Sequence, residues 1–241
     1  WDTSSLKLMI SSGAMFTTEV KRGLIDHVPE LAIADILGST EGGMGQSIMT
    51  KDTPASAPAK FTLLPVAKVL LPDGSREVVP GSGEVGMVAQ GGMVPLGYYK
   101  DPEKSAKTFK EVDGKRYAFI GDMATVEADG TINLLGRGSN CINTGGEKVF
   151  PEEVEEALKL HADVADALVF GLEDERFGNR VAGVVSLEQG GRAEAGDILE
   201  ATRKLLASYK LPKDLLVVPV VPRAPNGKAD YKTAKSMMAD G

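Results

Sequence analysis

The chain has 241 residues, 42% of them hydrophobic and 25% charged, with a formal net charge of -7. That length allows one large core or two modest ones. The acidic balance, with no basic run, argues against nucleic-acid binding. No apolar run approaches the ~20 residues of a membrane span, and the start shows no signal-peptide pattern. A cytoplasmic protein without a transmembrane segment is the expectation. The single cysteine, Cys141, permits no internal disulfide and reads as a small buried hydrophobe. The two histidines, His27 and His161, stand apart from any ligand-like grouping.

Residues 6–10 alternate toward a strand, which Ser11-Ser12-Gly13-Ala14 ends. Thr17 is placed to cap a helix over 18–27 that stops before Pro29. Residues 33–37 read as a second, mostly apolar strand. Strand, helix and strand in about 40 residues make a βαβ unit of a parallel sheet. One such unit does not cover both faces of its sheet, so it reads as the back part of a larger domain. Gly38-Ser39-Thr40-Glu41-Gly42-Gly43 follows, where α/β folds bind ligands. Backbone amides and the Thr40 hydroxyl suit phosphate oxygens, and Glu41 suits a hard cation; the plain alternative is a glycine-serine loop.

Residues 50–59 (TKDTPASAPA) read as an exposed loop. From 61 to 135 the pattern is short strands and turns, including a strand over 83–89. An Asp129-Gly130 hairpin joins 123–127 to 132–135. This predicts a small antiparallel barrel or curled sheet. Asp101 caps a short helix opening at Pro102. Gly121-Asp122 follows a strand over 117–120. A carboxylate there can accept bonds from two adjacent ribose hydroxyls, or be a turn residue.

The stretch GRGSNCINTGGEKVFPEE, residues 136–153, holds a short strand near Asn140–Asn143, a glycine turn and a helix opened by Pro151. It reads either as a hinge carrying a binding loop or as a plain hairpin between two domains. In the helix over 151–160, Val154, Ala157 and Leu158 share one face. Glu152, Glu153, Glu155 and Glu156 are assigned to a solvated face. Strands over 164–170, 180–187 and 215–221 follow, with helices over 197–207 and at the end. Between the last strand and helix, Pro225-Asn226-Gly227 put Lys228 in a mobile turn. A lysine there can reach phosphate as charge develops, or remain a solvated side chain.

GRGSNCINTGGEKVFPEEVEEAL resembles the signature loop of the adenylate-forming acyl-CoA synthetases, the superfamily that also holds luciferase and the adenylation domains of peptide synthetases. Gly145-Gly146-Glu147 leading into Phe150-Pro151-x-Glu153-Val154-Glu155 is similar to the CoA-ligase branch. Ser12-Gly13-Ala14-Met15, Gly38-x-Thr40-Glu41, Gly121-Asp122, Gly136-Arg137 and Pro222-Arg223-x-x-x-Gly227-Lys228 resemble further family motifs in the family's order. The resemblance covers essentially the whole chain.

It implies a mixed α/β and α+β fold. Residues 1–135 would be the end of the large AMP-binding domain, a βαβ remnant plus a β-barrel subdomain from about residue 59. Residues 136–241 would be the mobile α+β C-terminal domain. The implied nucleotide ligands are Gly13, Ala14, Asp35, Gly38, Ser39, Thr40, Asp122 and Arg137. Of these, Asp35 lies near the adenine amino group, Thr40 on the α-phosphate, and Asp122 and Arg137 on the ribose. Glu41 would hold Mg²⁺. Lys228 would contact the carboxylate oxygen and α-phosphate during adenylation. Asn140 would be the hinge, and Gly145, Gly146, Glu147 and Lys148 the CoA-binding loop. Leu37 stands where the family often has an aromatic, Phe119 and Ile120 where it writes arginine and threonine, and Asn140 where aspartate or lysine is common.

The activity implied is ATP-dependent acyl-CoA synthesis through an acyl-adenylate, with a small carboxylic acid, ATP and CoA as partners. Details of GEKVFPEEVEEALK and RAPNGKADYKTAK lean toward fatty-acyl or steroid-side-chain acids. The family's front portion carries a glycine-rich loop for the β- and γ-phosphates that is not in this sequence. The chain is therefore expected to be a fragment, inactive alone, with exposed edges open to homo-oligomer formation. The rivals are an acyl-AMP ligase that does not use CoA, a non-catalytic AMP-binding module, and an interaction domain with degenerate motifs.

Overall fold

The computed structural model describes residues 1–13, 16–54 and 60–240. Two compact units emerge, Trp1–Leu135 and Gly136–Gly241. Ala14 and residues 55–59 of the expected exposed loop lie outside the described residues.

The first unit opens with β1 (Leu8–Ser12), α1 (Thr18–His27) and β2 (Ala32–Ser39). Thr17 caps α1, its Oγ1 accepting from the Val20 amide at 3.3 Å. β1 and β2 run parallel, Leu8 opposite Ala32 through Ser12 opposite Ile36. β2 alternates strictly: Ile33, Asp35 and Leu37 are buried. Helix α1 lays Ile25 on Leu31, Ile33 and Met49. A strand missed by the sequence pattern, β3 (Gly42–Met49), then pairs antiparallel to β2, and β4 (Thr62–Leu63) pairs with β3. The loop after β2 is therefore a two-residue hairpin turn, Thr40-Glu41, between paired Ser39 and Gly42.

A second sheet holds β5 (Ala67–Leu70), β6 (Val85–Gln90), β7 (Phe109–Val112), β8 (Lys115–Val126) and β9 (Ile132–Arg137). Its order is β5-β6-β8-β7, with β9 on β8. Helix α2 (Pro102–Thr108) leads into β7, capped by Asp101, whose carboxylate accepts from the Lys104 amide. Leu37 and Met44 of the first sheet share one core with Phe61, Val69, Val88 and Ile132. Here the expected strand end at Gly121-Asp122 is corrected: β8 runs straight through both residues. The register on β6 slips, with Met87 opposite Met123 but Ala89 opposite Phe119. Gly121, at φ +98°, takes up the resulting bulge. The glycine bends the strand without ending it.

The second unit begins with a 3₁₀ turn, Gly138–Asn140. β10 (Ile142–Thr144) and β11 (Glu147–Val149) form a hairpin. Then come α3 (Pro151–Lys159), β12 (Val164–Asp174), β13 (Gly178–Leu187), α4 (Ala195–Thr202), β14 (Asp214–Val217) and α5 (Tyr231–Asp240). The sheet order is β11-β10-β13-β12, with β14 parallel to β13. Alternation on β12 sends side chains to two cores. Ala167 and Val169 pack with Val154 and Leu158 of α3 and Ile198 of α4. Leu168 and Phe170 pack with Val221 and Ala234 of α5. A sheet covered on both faces is apolar on both, which is why β13 reads as a nearly continuous hydrophobic run.

The solvated face assigned to α3 is also corrected. Glu155 is buried, and Glu152, Glu153 and Glu156 are half-buried. Glu153 receives Lys210 Nζ on both oxygens, at 2.6 and 2.7 Å. Lys210 of the 3₁₀ turn Ser208–Lys210 reaches Glu153, and β12 meets Glu155 through the Val169 amide. Among the described residues no helix is long and apolar enough to cross a membrane.

Candidate functional site

In the first unit the parallel pairing brings the carboxyl ends of β1 and β2 side by side. Gly13 therefore lies next to the Gly38–Glu41 stretch, and Ser12 Oγ donates to the Ile36 carbonyl at 2.9 Å. At the hairpin turn Thr40 is exposed and Glu41 half-buried. Glu41 Oε2 accepts from Ser39 Oγ (2.6 Å) and Thr40 Oγ1 (3.1 Å), and Oε1 accepts from the Tyr98 hydroxyl. Burial pushes this carboxyl up, but the bonds from Ser39 and Tyr98, with smaller help from the Glu41 amide and Thr40, outweigh it and hold the pKa at about 2. Tyr98, 57 residues away, carries no sequence signal for this role; its phenol is pushed up by the same contact.

This donor set fits magnesium. Mg²⁺ is commonly held by one or two carboxylates plus substrate phosphates and water. Glu41 supplies one permanently ionised carboxylate beside an exposed hydroxyl. Among the described residues, no cluster of three or more His, Cys, Asp or Glu could hold a metal by itself.

Asp35, expected near adenine, is committed elsewhere. Its Oδ2 accepts from Lys21 Nζ at 2.8 Å, with the lysine side chain 2% exposed. On β2, Asp35 shares a face with Ile33, which packs with Ile25 of α1. Removing either charge would strand the other in a dry site. The pair holds α1 on the sheet. Asp122 sits half-buried in β8, away from any strand end.

The second unit gathers the remaining candidates. Arg137 is exposed at the end of β9, and its amide donates to Glu152 Oε1 at 3.4 Å. Asn140 Nδ2 donates to the Tyr231 hydroxyl at 3.3 Å, linking the expected hinge to the start of α5. A cleft of about 240 Å³ opens there, lined among others by Ser139, Cys141, Asn179, Tyr231 and Lys235. Gly145 and Gly146, at φ +59° and +90°, are the two central residues of the β10–β11 hairpin, with Thr144 paired to Glu147. Both left-handed positions suit the two-residue turn that matches strand twist. Glu147 and Lys148 are exposed beside it.

Lys228 is exposed on a turn closed by the Ala224 amide donating to the Lys228 carbonyl at 2.8 Å. The Lys228 amide donates to Asn226 Oδ1 at 3.2 Å. Close to this turn, Glu155 accepts from the Val169 amide at 2.9 Å. Burial raises its pKa to about 7, opposed by that bond and reinforced by Glu152. Burial, with Glu155 and Glu152, likewise pushes the Tyr231 phenol well above its ordinary value.

Residues 153–228 match the family model for the AMP-binding enzyme C-terminal domain, a match that ends on Lys228. The chain is 46% identical over 238 residues to the medium/long-chain-fatty-acid–CoA/3-oxocholest-4-en-26-oate–CoA ligase of Mycolicibacterium smegmatis. It belongs to the adenylate-forming, AMP-binding enzyme family. That alignment covers 98% of this chain and 43% of the relative, so the chain spans less than half the relative's length. Among solved structures, the amide bond synthetase McbA from Marinactinospora thermotolerans superposes with a TM-score of 0.83. The identity is 24%, over 98% of this chain and 47% of the other, a likeness of fold. ATP-bound MatB from Rhodopseudomonas palustris gives a TM-score of 0.77 at 26% identity, over 97% and 45% of the two chains.

Proposed function

We propose that this chain supplies nucleotide-binding and lysine-bearing parts of an AMP-forming acyl-CoA synthetase acting on medium- to long-chain fatty or related lipid acids. The observation that carries the reading is the Thr40-Glu41 turn, where an exposed hydroxyl adjoins a carboxylate held ionised at the carboxyl end of a parallel strand. Likeness to a relative named as a fatty-acid–CoA ligase supports the substrate class.

In the first half-reaction, an oxygen of the acid's carboxylate attacks the α-phosphorus of ATP and pyrophosphate leaves. Thr40 Oγ1 and the turn's backbone amides hold α-phosphate oxygens, while Asp122 and Arg137 orient the ribose. Lys228 donates to the attacking carboxylate oxygen and to the α-phosphate as negative charge builds there. Glu41 would hold a magnesium ion, which when bound would neutralise phosphate charge. In the second half-reaction the CoA thiolate attacks the acyl carbonyl, and AMP departs with the electron pair of the broken C–O bond. The Gly145–Lys148 turn, free of side chains at its two central positions, borders the pantetheine arm. Asn140 absorbs the dihedral change by which the second unit offers Lys228 in one step and this turn in the other.

The test is Lys228→Ala in the intact protein with medium- and long-chain fatty acids. Acyl-AMP formation from acid and Mg-ATP should fall by about 100-fold or more. Thioester formation from preformed acyl-AMP and CoA should stay near wild type. Unchanged adenylation would remove Lys228 from the mechanism.

A further inference from the structure

Resting on that reading of Lys228, we propose that Asp166 is the positioning residue of the Lys228 turn, acting through Arg223. A turn of proline, asparagine and glycine leaves a lysine stem wide freedom. In this structure a guanidinium ties the turn to β12. Arg223 Nε donates to Asp166 Oδ2 at 2.6 Å, and Nη2 donates to Oδ1 at 2.7 Å. The remaining nitrogen, Nη1, donates to the carbonyl of Gly227 at 3.3 Å, one residue before Lys228. One edge of the fork grips β12 while the other holds the lysine turn.

The carboxylate is itself held. Its Oδ1 also accepts from the Ala167 amide at 2.8 Å. A register shift between Val164 and Asp166, a local irregularity of β12, sits at this position, and such irregularities commonly re-aim a side chain. The pair is neither a loose surface bridge nor a sealed one: the Asp166 and Arg223 side chains are 28% and 32% exposed. Bidentate, charge-assisted geometry distinguishes it from the exposed ion pairs that contribute little. Lysine at 223 could not reproduce it, because one ammonium cannot fork onto a carboxylate and also reach Gly227.

Lys228 is assigned to adenylation alone, so a loosened turn should harm that half-reaction and spare the other. A misplacement of about 1 Å in a positioned group can slow a reaction about 100-fold. Acyl-AMP formation and thioester formation from preformed acyl-AMP would be measured separately in the intact protein. The set is wild type, Lys228→Ala, Asp166→Asn, Arg223→Lys and the Asp166→Asn/Arg223→Lys double variant. Asp166→Asn and Arg223→Lys should each lower the adenylation kcat about tenfold or more, with KM for ATP and the thioester step within about twofold of wild type. The double variant should be no worse than the weaker single, because both remove one fork. Equal losses in both half-reactions would mean that the pair only holds the unit together, and would overturn the proposal. Intact adenylation in Asp166→Asn, with Lys228→Ala inactive, would overturn this inference alone. Intact adenylation in Lys228→Ala would overturn the lysine assignment and this inference with it.

Discussion

The Thr40-Glu41 turn of the first unit and the α3–β12 contact of the second each place one glutamate out of bulk water, with opposite results. Glu41 takes hydroxyl donors on both oxygens and stays ionised, with a pKa of about 2. Glu155 takes one backbone amide, lies against apolar β12 with Glu152 nearby, and rises to about 7. Burial acts in the same direction on both. Glu155 is the more deeply buried of the two, and the hydroxyl donors on Glu41 outnumber the single amide on Glu155; both differences push the signs apart. A permanently charged carboxylate suits work on cations and phosphate, whereas one balanced near neutrality makes the fold around it sensitive to pH.

The strongest way to break this comparison is Glu41→Gln. The amide keeps the shape and loses the charge, so acyl-AMP formation in the intact protein should fall by about 100-fold. Raising magnesium should not restore it. A variant within about threefold of wild type would show that the charge on Glu41 is not used, and the contrast with Glu155 would lose its functional meaning.

Glu155→Gln probes the other half, through stability. The folded pKa, about 7, is above the unfolded carboxylate value of 4.5. Below about pH 4.5 both states hold the proton and the group contributes nothing to pH dependence. As pH rises from there toward 7 the unfolded chain ionises first, so the folded state loses stability, and above 7 the loss is complete. The shift corresponds to about 3 kcal/mol. Glutamine cannot ionise and should escape this loss. Its stability relative to wild type, from denaturant unfolding, should therefore improve by a few kcal/mol between pH 4.5 and pH 8. A gap that does not change with pH would place Glu155 with ordinary solvated glutamates.

Much of the architecture was legible because local chemistry agreed with it. Thr17 ahead of α1, Asp101 and Pro102 ahead of α2, and Asp129-Gly130 between β8 and β9 each mark a boundary that the structure keeps. Strand β3 escaped because GGMGQSIM lacks a clean apolar alternation; its pairing to β2 supplies what the pattern does not. Gly121 reads as a strand end in the sequence because a bulge and a turn both call for glycine. Candidate site residues can be named where a motif is contiguous, as in Thr40-Glu41. They were hidden where the partner arrives from elsewhere in the chain: Tyr98 on Glu41, Lys21 on Asp35, Asp166 on Arg223. The burial of Glu155 is hidden for a related reason. A helix pattern shows which face is most apolar, not how far neighbouring elements extend beyond it.

The smallest expected effect tests how Glu41 is kept charged. Ser39 and Tyr98 supply the largest lowering contributions to its pKa. Removing both hydroxyls, in Ser39→Ala/Tyr98→Phe, leaves burial less opposed, so the pKa should climb back toward the ordinary carboxylate range. In the proposed role the charged form is the working form, so activity should be lost as pH falls through the pKa. In wild type that acid limb lies near pH 2, out of reach of an assay. In the double variant it should move into reach: adenylation at pH 5 should drop a few-fold more, relative to pH 7.5, than in wild type. At pH 7.5 itself the two proteins should differ little, since Glu41 is ionised in both. An identical pH profile would mean that the hydroxyls orient the carboxylate without setting its charge. The ionisation of Glu41 would then have to come from the turn's backbone, and the contrast with Glu155 would reduce to a difference in burial.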